Sequence, residues 1–272
     1  MVTTNKETNQ YKKLSIQVSL NGLSFCILER DTNTISYFKK FDFKKQLDPI
    51  KVLSKIEEIY EQEEALNQKV DNVNLVFNNA LFSLVPEKLF DDEQAASYLK
   101  FNTRILKTDF IAFDNLKDEI VNVYIPYTNI INYFFDRYGE FEYRHALSVL
   151  IDSLLELPKE TNGPKVYLHT LFGHYELVII ENGKVIFANS FEYDTKEDFL
   201  YYLLFTAEQL NLDPNIFELV LIGEINKDSE EYKMVWDYIK NISFMGPFHS
   251  FNFEEKAKPE KELSEYLLIK TL

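Results

Sequence analysis

The sequence predicts an α/β chain built from two similar units, and three observations carry that reading. Three hairpin-linked strands, a helix and a further strand are written near the N-terminus. The same order recurs in the second half. A polar stretch bounded by Pro158 and Pro164 lies between them and reads as the linker.

The elements can be justified in turn. Residues 13–20 alternate, with Leu14, Ile16, Val18 and Leu20 on one face and Ser15, Gln17 and Ser19 on the other, as in a half-buried strand. Asn21-Gly22 follows and predicts a type I′ hairpin, because both residues tolerate positive φ. Residues 23–29 form the second strand, Asp31-Thr32-Asn33 the next turn, and residues 34–43 the third strand. Asp48-Pro49 opens a helix: Asp48 can cap free N–H groups and Pro49 takes the tolerated first position. Its expected buried stripe is Ile50, Leu53, Ile56 and Ile59, opposite a solvated face of Glu57, Glu58, Glu61, Glu63 and Glu64. Residues 72–77 return as a strand.

An insertion at about 78–126 interrupts the first unit. Residues 81–90 read as a strand ended by Pro86, and Asp91 with Gln94 begins a short helix through Leu99. Strand-like runs at 107–113 and 119–125 follow, then helices at 129–138 and 145–157 around a short strand at 141–143.

In the second unit, residues 165–170 and 175–180 are strands around a Phe172-Gly173 turn. Asn182-Gly183 turns into a third strand at 184–193. Asp194 and Glu197 make a capping-box pattern before a helix striped with Phe199, Leu200, Leu203, Leu204, Ala207 and Leu210. Residues 217–222 form the following strand. Gly22 and Gly173 stand 151 apart, Asn33 and Gly183 150, and Asp48/Asp194 and Val73/Leu219 146 each, which points to one unit used twice. A helix at 228–240, a strand at 242–245, a charged loop through Pro259 and an element at 263–272, helix or strand, complete the chain. The expected organisation is a polar tail at 1–12, a first domain at 13–157 and a second at 158–272.

Composition narrows the function. With 46% hydrophobic and 15% aromatic residues, disorder is excluded. A net charge of −15 argues against nucleic acid or an anionic membrane as partner. The N-terminus carries no signal-like apolar core, no run approaches a transmembrane span, and Cys26 has no second cysteine to pair with; a cytoplasmic protein without membrane insertion is expected. Its 7 glycines, at 22, 139, 163, 173, 183, 223 and 246, are too widely spaced for any glycine-rich phosphate loop.

The strand, helix and strand order resembles a ribonuclease H-like unit, and two in tandem resemble the actin, hexokinase and heat-shock-ATPase superfamily. More specifically, Phe82-Ser-Leu-Val-Pro-Glu-Lys-Leu-Phe90, followed by Asp92-Glu93 and Tyr98-Leu-Lys-Phe-Asn102, resembles an uncharacterised bacterial family known as domain of unknown function 3822. The likeness runs through most of the chain and is weakest after Pro247. It implies an actin-like two-domain architecture without an assigned activity.

In catalytic actin-like proteins each first hairpin brings an Asp and a Gly to the nucleotide phosphates. Here residues 13–28 and 165–175 contain no carboxylate, so magnesium support and nuclease-type metal clusters both lack their acids. The adenosine loop, normally Gly-Gly, is matched only by Leu221-Ile-Gly-Glu224. The expected site is therefore a degenerate nucleotide cleft of Asn21, Gly22, Ser24, Thr170, Gly173 and Gly223, with no catalytic residue and no metal. His169 and His174 flank one hairpin and read as packed across it, and His145 as a cap or packing residue. Residues 248–253, aromatic and containing His249, are expected to fold onto the second domain, and Cys26 to be a small core residue. Phe38-Lys-Lys-Phe-Asp-Phe-Lys-Lys45 reads as an edge strand protected by lysines, in preference to a single-strand binder.

Together these residues predict an interaction or assembly module that needs no cofactor and works with a protein partner, its identity and any self-association left open. The alternative is a divergent ATP-binding ATPase or kinase-like enzyme using ATP and magnesium, with acids drawn from Glu192, Asp194 or Glu224.

Overall fold

The computed structural model describes residues 11–101, 103–106, 108–158, 163–171 and 173–272. Two lobes follow the same plan. In the first, β1 (Lys12–Val18), β2 (Gly22–Glu29) and β3 (Thr34–Asp42) form an antiparallel meander. The helix α1 (Pro49–Gln62) then leads to β4 (Asn72–Phe77), parallel to β1. An insertion follows: β5 (Phe82–Pro86), α2 (Ala95–Leu99), β6 (Ala112–Leu116) and β7 (Ile120–Tyr124), its strands forming a separate 3-stranded sheet. The lobe resumes with α3 (Thr128–Tyr138), β8 (Glu142–His145), parallel to β4, and α4 (Ala146–Leu155).

The second lobe repeats this with β9 (Lys165–Leu171), β10 (His174–Glu181), β11 (Lys184–Glu192), α5 (Lys196–Gln209), β12 (Glu218–Gly223), α6 (Glu230–Tyr238) and β13 (Asn241–Phe244). The sheet orders correspond strand for strand: β3-β2-β1-β4-β8 and β11-β10-β9-β12-β13.

Alternation along the second sheet explains how the lobes join. Val166, Leu168, Leu177, Leu219 and Leu221 pack with α5 and α6 on the outer side. Tyr167, Val178, Val220 and Ile222 face the other way and share one core with α4 and the first lobe. Burial of both faces explains why these strands are nearly continuous apolar runs.

The C-terminal segment does not stay with the second lobe. The short strand β14 (Asn252–Phe253) pairs parallel with β3, and α7 (Tyr266–Lys270) lies on the first sheet, where Ser15 Oγ donates to Leu268 O at 3.0 Å. Phe251 and Phe253 pack with Cys26, Leu28 and Ile35. Residues 248–253 therefore fold onto the first lobe, against expectation, and the unit 158–272 does not form one lobe. The open element at 263–272 is a 3₁₀ turn at Glu262–Glu265 running into α7. No helix among the described residues is long and apolar enough to cross a membrane.

Local chemistry accounts for several differences from the sequence pattern. Asp48 caps α1 as expected, accepting from Lys51 N at 2.9 Å. The buried face is Val52, Ile56, Ile59 and Tyr60, while Ile50 is 75% exposed. A strict every-third spacing drifts off a face whose period is 3.6 residues. The capping box before α5 is one residue later than predicted, between Thr195 and Asp198, because Thr195 already has the extended backbone of a cap. The strand expected at 107–113 begins only at Ala112.

Candidate functional site

The two Asn-Gly turns differ. Asn182 (φ 53°) and Gly183 (φ 73°), between β10 and β11, make the positive-φ turn that Asn-Gly predicts. Neither Asn21 nor Gly22 has positive φ. Instead, Ser19 Oγ accepts from the N–H of Asn21 at 3.2 Å and of Gly22 at 2.9 Å, and Ser19 N donates to Gly22 O at 3.0 Å. Gly22 is required for another reason: a Cβ there would lie 2.6 Å from Phe41 O on β3. In the second lobe's first hairpin, between β9 and β10, Gly173 does have positive φ, 77°, with nothing close to an added Cβ; its predicted neighbour Phe172 lies outside the described residues.

Behind the first hairpin, the register places Gln17 opposite Ser24 and Ser24 opposite Lys40. These three line a small cavity of ≈ 80 Å³ together with Asn21, Gly22 and Asp42. Its far wall is Glu224, just after β12, and Glu265 from the C-terminal segment. Lys40 bonds to Glu224 and to Glu265, the latter at 3.2 Å, and Ser264 Oγ donates to Glu265 at 2.9 Å. Glu265 is only 2% exposed. Burial works to pull the Lys40 pKa down, but Glu265 and Glu224 outweigh it and hold it above its ordinary value. Lys40 is therefore a tie between lobes. The reading of Lys39 to Lys45 as pure edge protection fails at this residue.

Behind the second hairpin, His169 lies opposite Glu176, and Glu176 opposite Ser190. His174 pairs with Leu171, so the two histidines do not face each other as predicted. His169 Nδ1 donates to Glu176 Oε2 at 2.6 Å, and His174 Nε2 lies 3.8 Å from Glu176 Oε1. Burial pushes the Glu176 pKa up, but the His169 hydrogen bond and the nearby His174 ring prevail and bring it down to about 2. His174 Nε2 also bonds Asn78 Oδ1 of the first lobe at 3.2 Å. Nearby, His145 caps α4, its Nδ1 accepting from Leu147 N at 3.1 Å and its Nε2 donating to Asn79 O at 2.9 Å. Burial lowers its pKa to about 4.

The expected cleft residues do not act as one set. Asn21, Gly22 and Ser24 line the small cavity, whereas Thr170 and Gly173 line another of ≈ 330 Å³ with Tyr193, Asp194, Glu224 and Glu231. The Thr170 hydroxyl is engaged by the backbone, donating to Ile222 O at 3.2 Å and accepting from Ile225 N at 2.9 Å. Gly223 is a packing glycine: with φ +93°, its Cβ would stand 2.0 Å from Thr170 O. Of the alternative acids, Glu224 lines both cavities, Asp194 the larger, and Glu192 a third of ≈ 160 Å³ with Asn79 and Ser190.

Sequence reasoning missed Lys40, Asp42 and Glu265, which line the small cavity, and Glu176, the buried partner of His169. The signal for Glu176 was available, since a turn at 172–173 puts residue 169 opposite 176 by simple counting. Nothing local marks Glu265, which arrives from more than two hundred residues away in sequence. Among the described residues, no group of three or more His, Cys, Asp or Glu is arranged to hold a metal.

The family model described as "Protein of unknown function (DUF3822)" matches residues 2–242. The chain belongs to that family. This DUF3822 protein is similar to a solved protein from Bacteroides thetaiotaomicron VPI-5482, described as having an actin-like ATPase fold and unknown function. Identity is 22% over 92% of this chain and 96% of that one, with a TM-score of 0.75. It is also similar to a chain of the PilM-PilN type IV pilus biogenesis complex, at 11% identity, 95% and 96% coverage and a TM-score of 0.57. At such identities the likeness shows the fold, which is the actin-like two-domain architecture. No curated protein matches the chain.

Proposed function

We propose that this DUF3822 protein is a cytoplasmic interaction or assembly module whose inter-lobe cleft is a degenerate nucleotide site without catalytic use. One observation carries the reading: Lys40 spans the cleft to Glu224 and Glu265. A nucleotide's phosphates would meet two carboxylates already bonded to the nearest cation, with Asp42 beside them. The cavity is also small, ≈ 80 Å³ against roughly 300–1,000 Å³ for ordinary ligand sites. The lobes' shared strand order is read as one unit used twice. A neighbour of this fold belongs to a two-protein pilus biogenesis complex, and that analogy supports an assembly role with a protein partner.

A second reading, an ATP-binding enzyme, is favoured by the ≈ 330 Å³ cavity beside the second hairpin, where Asp194, Glu224 and Glu231 offer carboxylates. Thermal unfolding with ATP and magnesium separates the two. A ligand at about 100 times its Kd adds about 2.7 kcal/mol, several degrees for most domains. The expected result is no saturable shift at millimolar ATP. A saturable shift that Glu224→Gln removes, with the unliganded midpoint unchanged, would establish the enzyme reading. Gly223 is unsuitable for this test, because any side chain there strikes Thr170.

A further inference from the structure

We infer that the outer edge of the second sheet, β11 beside α5, accepts an extended basic segment of a partner protein as an added strand. The inference rests on the interaction-module reading and names a surface for it.

The two sheets treat their third strand differently. The edge of β3 is met by β14 at Thr34 and Ile35 and carries Lys39 and Lys40. Among the described residues, β11 pairs only with β10. Its first end is occupied, since Asp118 accepts from Val185 N at 2.8 Å. Further along the strand lie uncharged residues through Phe191. Tyr193 N donates to Gly173 O at 3.1 Å, which sets the antiparallel alternation and turns the N–H groups of Ala188 and Ser190 away from β10. Unpaired groups of this kind are a template for another strand.

Side chains beside this edge favour one kind of occupant. Phe205 stacks on Tyr201 at 5.7 Å, Tyr201 meets Tyr202 at 5.4 Å, Tyr202 stacks on Phe191 at 5.3 Å, and Phe191 reaches Phe187 at 6.4 Å. The strip runs from the outer face of α5 to the strand. Tyr201 is 58% and Phe205 45% exposed. Glu197 and Glu208, one turn to either side of Tyr201 and Phe205 on α5, border it and are exposed, while the nearby Lys196 is engaged by Glu230. Exposed aromatic faces with acids beside them complement Lys or Arg, through ring contact and charge. Strand addition supplies the backbone bonds, and alternating side chains supply the choice.

The test uses the full chain and a labelled peptide of alternating Lys and Val, with an alternating Glu and Val peptide as control, followed by fluorescence anisotropy and amide exchange. The Lys/Val peptide should bind, weaken with salt and protect the Ala188 and Ser190 amides. Ala188→Pro leaves the β10 ladder intact, and together Tyr201→Ala and Phe205→Ala remove exposed rings; each change should weaken binding about tenfold with the thermal midpoint preserved. Equal binding of both peptides, binding unaffected by Ala188→Pro, or no binding at all overturns the inference. So does a dimer of the chain that Ala188→Pro breaks in the absence of peptide binding. None of these outcomes bears on the ATP titration, which judges the underlying reading separately.

Discussion

At matched places in the two sheets, the first lobe carries Gln17, Ser24 and Lys40, and the second carries His169, Glu176 and Ser190. The first row holds a cation whose partners, Glu224 and Glu265, come from outside its sheet. The second row holds an anion largely satisfied by histidines of its own hairpin. The ion pair of the first row therefore joins the lobes, while that of the second lies within one hairpin, with His174 beside it reaching Asn78 of the first lobe. Both rows are satisfied by charge pairing within the protein.

The comparison can be broken most sharply at Glu176. Glu176→Ala leaves His169 without its buried partner and should cost about 4 kcal/mol, the range for breaking a buried pair. Ser24→Ala, the matched change in the first lobe, should stay within about 0.5 kcal/mol. Urea unfolding of both variants checks this, and comparable losses would mean that the two rows do equivalent work. A smaller contrast lies in the hairpin glycines. Gly22→Ala drives a Cβ against Phe41 O and should cost about 2 kcal/mol, whereas Gly173→Ala meets only its positive φ and should cost about 1 kcal/mol. The reverse order in urea midpoints would show that conformation and not space limits both turns.

The smallest effect separates the lobes by pH. His145 has a folded pKa of about 4, below its unfolded value near 6.5. The unfolded chain takes up the proton first, so stability is lost as pH falls between these values, by about 1 kcal/mol from pH 7.5 to about 5.5. Glu176, held down at about 2, contributes stability above its unfolded value near 4.5 and loses it only on further acidification. Thermal midpoints of His145→Asn should be flatter in the upper window and unchanged in the lower. A slope that persists above pH 5 in His145→Asn would assign it elsewhere.

Much of the fold is legible in the sequence because its determinants are local. Alternation at Leu14, Ile16 and Val18, the cap at Asp48, the Asn182-Gly183 turn and the α5 stripe each specify an element through neighbours a few residues away. The hairpin at Asn21-Gly22 is legible in place but not in kind: Phe41, a distant residue, excludes a side chain from Gly22. The site is less legible still. Asn21, Gly22 and Ser24 line one cavity, whereas Thr170 is bonded to the backbone and Gly223 packs against it. Lys40 reads as surface protection in the sequence and stays partly exposed, and its bonds to Glu224 and Glu265 exist only in the folded chain.

By itself, the sequence determined two runs of strand, helix and strand, an acidic chain of −15 and the absence of any glycine-rich phosphate loop. Periodicity, capping and turn chemistry act over a few residues, and composition needs no fold at all. Only tertiary structure decided that β14 and α7 return to the first sheet and that Lys40 meets Glu224 and Glu265. Those contacts depend on which faces the lobes bury against each other. A charge finds its partner there by proximity in space, and proximity in the chain does not predict it.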